Sequence, residues 1–210
     1  MSNINGSAAS TSWAVLREGN ARFIAGMTSA DLRRGPHRRA ELIGSQAPSA
    51  IVFGCADSRV PAEILFDQGL GDLFVVRTAG HVVDGSVLGS IEYAVEVLGV
   101  PLIVVLGHDS CGAVAASIAM VDEGKVPPGS IREIVEHIAP DVVRARIAGA
   151  ETLAETIEQH ASYTAELLRE RSVLIDRAIT AGRVSVVPTF YSLASGEVGE
   201  AHPVRRLLAV

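Results

Sequence analysis

The sequence predicts an α/β fold: a central, mostly parallel β-sheet of about four strands, with room for an antiparallel edge strand, flanked by helices and preceded by a helical arm. Three observations predict it. Short apolar runs rich in Val and Ile recur along the chain, as in strands covered on both faces. Helical patterns separate these runs, the alternation that goes with a parallel sheet. No stretch of shifted composition divides the 210 residues, so a single domain over 1–210 is expected.

Taken in order, residues 1–10 read as a disordered start. Ser10, Thr11 and Ser12 offer N-caps for a helix over 11–27 with Trp13, Leu16, Phe23 and Ile24 on one side. Arg33, Arg34, His37, Arg38 and Arg39 read as a solvated loop or a set of ion-pair partners. Apolar runs then occupy 50–53, 73–76, 102–106 and 184–187. They lead into Gly54-Cys55, Arg77-Thr78, Gly107-His108 and Pro188. A proline there implies an edge strand or a strand end. Between the second and third runs, Leu88, Ile91, Val95 and Leu98 trace a helix over 86–98, closed by Gly99 and Pro101. Another helix follows Cys111 and stops near Gly124, and 125–130 is a loop. Leu153, Ile157, Ala161, Thr164 and Leu168 mark a long amphipathic helix in the last third.

Composition narrows the function. With 48% hydrophobic and 20% charged residues, a disordered chain is excluded. A formal charge of −6 argues against general nucleic-acid binding, which needs cations to neutralise phosphates. No apolar run approaches the roughly 20 residues that cross a bilayer, so no membrane association is expected. The start lacks the basic flank and apolar stretch of a secretion signal, so a cytoplasmic location is expected. In that compartment the two cysteines, Cys55 and Cys111, are not expected to form a structural disulfide; buried thiols, a redox pair and metal ligands are the options.

Ligand sites of open parallel sheets lie beyond the carboxyl ends of the strands, and the chemistry-bearing residues fall there. Cys55 follows the first run, His108 follows the third, and Cys111 lies three residues on. Two strand ends can thus bring Cys, His and Cys to one point, a ligand set that suits Zn²⁺ and leaves a fourth position for water or substrate. Asp57 and Arg59 stand two and four residues past the first cysteine. Cys111 sits at the expected start of a helix, where the dipole favours a thiolate. Other site patterns fail. Gly69-Leu70-Gly71 lacks the third glycine of a dinucleotide loop, no Gly-Lys-Ser/Thr phosphate loop occurs, and Ser110 is one residue out of place for a nucleophile elbow. Cys-x-x-Cys is absent.

Three segments carry a family likeness: Cys55-Ala56-Asp57-Ser58-Arg59-Val60-Pro61-Ala62-Glu63, Arg77-Thr78-Ala79-Gly80 and Gly107-His108-Asp109-Ser110-Cys111-Gly112. Together they resemble the β-class carbonic anhydrases. The likeness runs from about Trp13 to about Val198 and includes Leu16-Arg17-Glu18-Gly19-Asn20-Ala21-Arg22-Phe23. It implies one zinc ion per chain on Cys55, His108 and Cys111, with Asp57 and Arg59 as the catalytic dyad. It further implies that Gln46, Phe74, Ala79, Tyr93 and Gly112 line the substrate pocket. That pocket would lie at a subunit interface, so Gln46, Phe74 and Tyr93 would face the other subunit's zinc. The chain would then be a homodimer or a dimer of dimers (a homotetramer), with the helix over 11–27 as its dimerisation arm. Asp109 and Ser110 would support the metal shell. His81, His137, His160 and His202 match no ligand position and read as surface or packing histidines.

The implied activity is reversible hydration of carbon dioxide to bicarbonate and a proton by zinc-bound hydroxide, oriented by Asp57 with Arg59 holding it. Two thiolates cancel the formal charge of zinc, so activity is expected to favour alkaline pH. Were the Asp57–Arg59 pair to break, Asp57 could itself take the fourth zinc position in a closed state. Val52 stands where members with an allosteric bicarbonate site carry Trp, which argues against bicarbonate inhibition here. Two alternatives stay open: a hydrolase of carbonyl sulfide or carbon disulfide on the same site, and a non-catalytic zinc-binding module.

Overall fold

A computed structural model describes residue 4 and residues 6–27 and 34–201. Arg33 and His202 lie outside the described residues. In chain order the elements are α1 (Ser7–Ile24), α2 (Pro36–Glu41), β1 (Ala50–Cys55), α3 (Ala62–Leu65), β2 (Leu73–Thr78), α4 (Gly85–Glu96) and β3 (Leu102–His108). There follow α5 (Gly112–Glu123), α6 (Ile131–Ile147), α7 (Leu153–Arg171), α8 (Val173–Thr180), β4 (Ser185–Tyr191) and β5 (Val198–Glu200). The strands form one sheet in the order β2-β1-β3-β4-β5, parallel except for the antiparallel β4–β5 pair at one edge. The expected four parallel strands and antiparallel edge are all present.

Period-two alternation sends successive side chains to opposite faces of this sheet. Ile51, Phe53, Ile103 and Val105 pack under α4, α7 and α8 with Val87, Ile91, Val95, Leu168 and Ile175. Val52, Leu102, Val104 and Leu106 face the other way, against Trp13 and Leu16 of α1 and Leu65 of α3. Both faces are covered, which is why β1 and β3 read as unbroken apolar runs and are buried at every position.

Three elements differ from the sequence reading, each for a local reason. First, α1 starts at Ser7 rather than after a cap at 10–12, so 7–10 are helical. The Ser10 and Thr11 hydroxyls donate back to the carbonyls of Gly6 and Ser7, at 3.0 and 2.8 Å, in place of capping. Second, α6 was not foreseen, since Pro140 within it removes a helical donor. Its buried stripe of Val135, Ile138, Val142 and Ala145 holds the helix nonetheless. Third, Pro188 is on β4, which is not an edge strand. Its carbonyl accepts from the Ala201 N–H at 3.0 Å, just past the end of β5, so its ring nitrogen faces a side where the ladder has already stopped.

The helix α1 is anchored to its own chain. Buried Asn20 donates to the carbonyls of Leu65 (3.1 Å) and Gly196 (2.9 Å) and accepts from the Val198 N–H (2.9 Å). Gly19 permits the approach: a Cβ there would sit 1.8 Å from the Phe66 carbonyl oxygen. The arginine-rich segment resolves into pairing. Arg38 meets Asp72 at 3.3 Å and Glu41 at 3.2 Å, and Arg34 donates to the Gln68 carbonyl at 2.9 Å. Among the described residues no helix is long and apolar enough to cross a membrane.

Candidate metal centre

Cys55 is the last residue of β1, His108 the last of β3, and Cys111 the residue before α5. Since β1 and β3 are parallel neighbours, their ends rise together and bring three buried ligand atoms within 4.8 Å of one another. Ser110, in a left-handed conformation at φ 55°, turns the chain so that Cys111 points back toward the strand ends.

The donor chemistry fits a zinc ion. The His108 Nδ1–H donates to the Asp109 backbone carbonyl at 2.8 Å, which fixes the tautomer and leaves Nε2 with a free lone pair. That Nε2 is buried without a hydrogen-bond partner, so its lone pair is available to a metal ion. Two sulfurs and one imidazole nitrogen are soft and borderline donors of the kind zinc takes, with a fourth tetrahedral position left over. Asp109 therefore supports His108 through its backbone. Its carboxylate instead accepts from the Leu193 N–H at 3.0 Å, and Ser110 contributes the turn.

The Cys55 and Cys111 sulfurs lie close enough to hydrogen-bond to each other. A hydrogen bond from Cys111, helped by His108 and the Gly80 N–H, pulls Cys55 far below the usual thiol range against the effect of its burial. The same bond to Cys55, with burial, pushes Cys111 well above it. The Ala113 and Val114 amides at the start of α5 favour charge on Cys111, as its place at a helix start leads one to expect, while the neighbouring Cys55 sulfur and burial oppose it. Burial opposes the charge on His108, yet Cys55 and the Asp109 carbonyl raise it overall.

Asp57 and Arg59 form a two-pronged pair beside this cluster. Arg59 Nε and Nη2 donate to the two carboxylate oxygens at 2.9 and 2.7 Å, and the Arg59 backbone N–H adds a bond at 2.9 Å. The guanidinium holds the Asp57 carboxyl well below the usual carboxylate range, and the carboxylate in turn raises Arg59. Arg77, at the end of β2, completes the loop. Arg77 donates to the carbonyls of Cys55 (2.9 Å) and Asp57 (2.5 Å), tying the backbone that carries the acid to β2. Gly112 opens α5, and Ala79 lies in a short 3₁₀ turn (Ala79–His81) that follows β2 directly.

A family model described as carbonic anhydrase matches residues 50–198, well over half of the chain. A tetrameric β-carbonic anhydrase from the ascomycete Sordaria macrospora has the same fold, with a TM-score of 0.71 at 26% identity over 91% of this chain and 96% of that one. The chain belongs to the β-class carbonic anhydrases. The carbonic anhydrase of Mycolicibacterium smegmatis is 56% identical over 186 residues, 89% of this chain and 90% of that protein. Carbonic anhydrase 2 of Mycobacterium tuberculosis is 52% identical over 184 residues, 88% of each chain.

The remaining pocket positions lie elsewhere within the chain. Phe74 and Tyr93 face each other with ring centroids 6.5 Å apart. The β1–β2 register sets Phe74 beside Ile51 and Thr78 beside Cys55, so Phe74 sits four residues, roughly 13 Å, down the strand from the cysteine. Tyr93 is 47% exposed, and Gln46 is exposed in the segment before β1. Of the histidines, His137 is exposed on α6, while His81 and His160 are buried and stacked, with centroids 4.3 Å apart. Their pairing joins residues far apart in sequence, and no local motif announces it.

Proposed function

We propose that this β-class carbonic anhydrase hydrates carbon dioxide reversibly to bicarbonate and a proton, with one zinc ion per chain on Cys55, His108 and Cys111. The observation that carries the reading is the buried, unpartnered His108 Nε2 within 4.8 Å of two thiols, beside an arginine-locked carboxylate. A zinc ion supplies Lewis acidity there, bringing the pKa of water from 15.7 toward about 7.

The residues of the chain do the rest. Asp57 stays ionised, so it can only accept a hydrogen bond; it takes the proton side of the attacking oxygen and aims the lone pair at the carbon. Arg59 holds that carboxylate by its two-pronged pair, and Arg77 holds the loop beneath it. Two thiolates neutralise the charge of a divalent cation, so activity rises toward alkaline pH. The product proton leaves to buffer.

Were Asp57 released from Arg59, its carboxylate could take the coordination position that the three ligands would leave open on zinc, giving a closed state. The Asp57 carboxyl is lowered and the Arg59 guanidinium raised, so neither changes charge across the neutral range.

The pocket is completed by a second copy of the chain. Supporting this, Phe74 lies far down β2 from its own Cys55, β2 is an edge strand, and Tyr93 on the adjoining α4 and Val97 just past its end are exposed. The Sordaria macrospora relative is described as tetrameric, which fits a dimer or a dimer of dimers. The face of α1 turned away from its own sheet, with Val15 exposed, is the part left to act as an arm. Two unpaired ligand thiols suit a reducing compartment, consistent with the cytoplasm.

Oxygen-isotope exchange between carbon dioxide and water, followed by mass spectrometry on zinc-loaded protein, tests the reaction. Rapid exchange in the wild type that collapses in Asp57→Ala supports it. Equal exchange in the two proteins contradicts the role given to Asp57, and none in either contradicts the reaction.

A further inference from the structure

Behind Cys55 lies a group of titratable residues that the reaction does not use. Asp141 of α6, His160 of α7 and Gly80 of the turn after β2 come from three separate elements and meet in the interior. His160 Nδ1 lies 2.8 Å from the Asp141 Oδ2, and His160 Nε2 lies 2.9 Å from the Gly80 carbonyl oxygen. The Gly80 carbonyl can only accept, so His160 Nε2 donates to it, and Nδ1 is left facing the Asp141 carboxyl group. The ring is further seated by His81, stacked 4.3 Å away, which itself stands edge-on to Phe53 at 6.1 Å. On the outer side, Arg144 lies 3.7 Å from Asp141 and over the ring of Tyr163 at 3.8 Å.

Gly80 is the point of contact with the metal site. Its N–H donates to the Cys55 Sγ at 3.3 Å. It adopts a left-handed conformation (φ 63°, ψ 22°), and a Cβ there would come within 2.6 Å of Ile138 and 2.8 Å of Ala113. The backbone therefore passes through a slot that admits no side chain, with its amide aimed at the sulfur and its carbonyl at His160. A donor to a ligand sulfur reduces the electron density the sulfur gives the metal, and partners of this kind set ligand orientation.

We infer that Asp141 and His160 are positioning residues of the metal centre: they hold the Gly80 peptide so that its N–H stays on the Cys55 sulfur. The inference rests on Cys55 being a zinc ligand. It adds a buried path from the surface at Arg144 to that ligand, made by residues that touch neither metal nor substrate.

The test compares wild type, His160→Phe, Asp141→Ala and Asp141→Asn. Zinc affinity is measured by competition with a chromogenic chelator, and the cobalt-substituted proteins are compared by their thiolate-to-cobalt charge-transfer band. His160→Phe keeps a stacked ring and loses both nitrogen contacts, to Gly80 and to Asp141. It should bind zinc about 10- to 100-fold more weakly, with the band moved to lower energy. Asp141→Ala should shift both readouts the same way by less, and Asp141→Asn, whose amide can serve Nδ1, should return toward wild type. A merely structural role would lower the melting temperature and leave the band of folded protein unmoved. Folded His160→Phe that matches wild type in affinity and band overturns the inference. If that variant does not fold, Asp141→Ala matching wild type does so. A wild type that binds no zinc instead refutes the ligand assignment itself, and is told apart because it fails before any variant is compared.

Discussion

The two ends of the strand β1 differ in how finished they are. At its carboxyl end, three ligand atoms are buried within 4.8 Å, and the adjacent acid is held by three hydrogen bonds from Arg59. Beside its amino end, Phe74 is half-buried, its partner Tyr93 is exposed, and Val97 is 65% exposed one helical turn on. One end satisfies its polar groups within a single chain. The other presents apolar area that a single chain does not cover. On the proposed function, the difference assigns metal binding to the folded protomer and the substrate pocket to the assembly.

The largest expected effect breaks the finished end. His108→Ala or Cys111→Ala should lose zinc on dialysis, as read by metal analysis, and lose all detectable hydration with it. Next, Asp57→Ala should retain zinc while hydration falls by about 10²- to 10⁴-fold, the span of a positioned acid–base group. A variant that lost both together would show that Asp57 is part of the metal's holding set in the resting protein. At the unfinished end, Tyr93→Arg should keep zinc, sediment as a smaller species and lose activity by about tenfold or more, one well-placed contact being worth that much. If it stayed assembled and fully active, the contrast between the two ends would lose its meaning. The smallest effect on chemistry is expected at Asn20→Ala. It strands three buried backbone groups and should lower stability by about 1–3 kcal/mol in urea unfolding, with zinc affinity unchanged.

Much of this was legible in the sequence, for reasons specific to the residues. The strands β1 and β3 announced themselves because burial on both faces forces continuous apolar runs, and Cys55 and His108 close those runs. The pairing of Asp57 with Arg59 spans only two residues, so its motif is local. The start of α1 was misplaced because Ser10 and Thr11 satisfy carbonyls inside a helix as readily as amides at its start. The helix α6 was hidden by Pro140, whose local cost is outweighed by tertiary burial that no window of sequence reveals. His160 and Gly80, 80 residues apart, leave no periodic or spaced signature, since only the packing of α7 against the turn after β2 joins them. Arg77 stands within a recognisable motif, but its grip on two carbonyls of the neighbouring strand end and loop depends on the β1–β2 register. Likewise the distance of Phe74 from Cys55 follows from that register alone.

The central claim is that the strand-end cluster holds a catalytic zinc ion, and stopped-flow hydration of carbon dioxide against pH, with metal content determined on the same sample, tests it most directly. The account predicts about one zinc per chain and a rate that climbs from neutral to alkaline pH. The lowered Asp57 carboxyl keeps its accepting role throughout that climb. Protein that carries its zinc and yet shows no hydration at alkaline pH would contradict it.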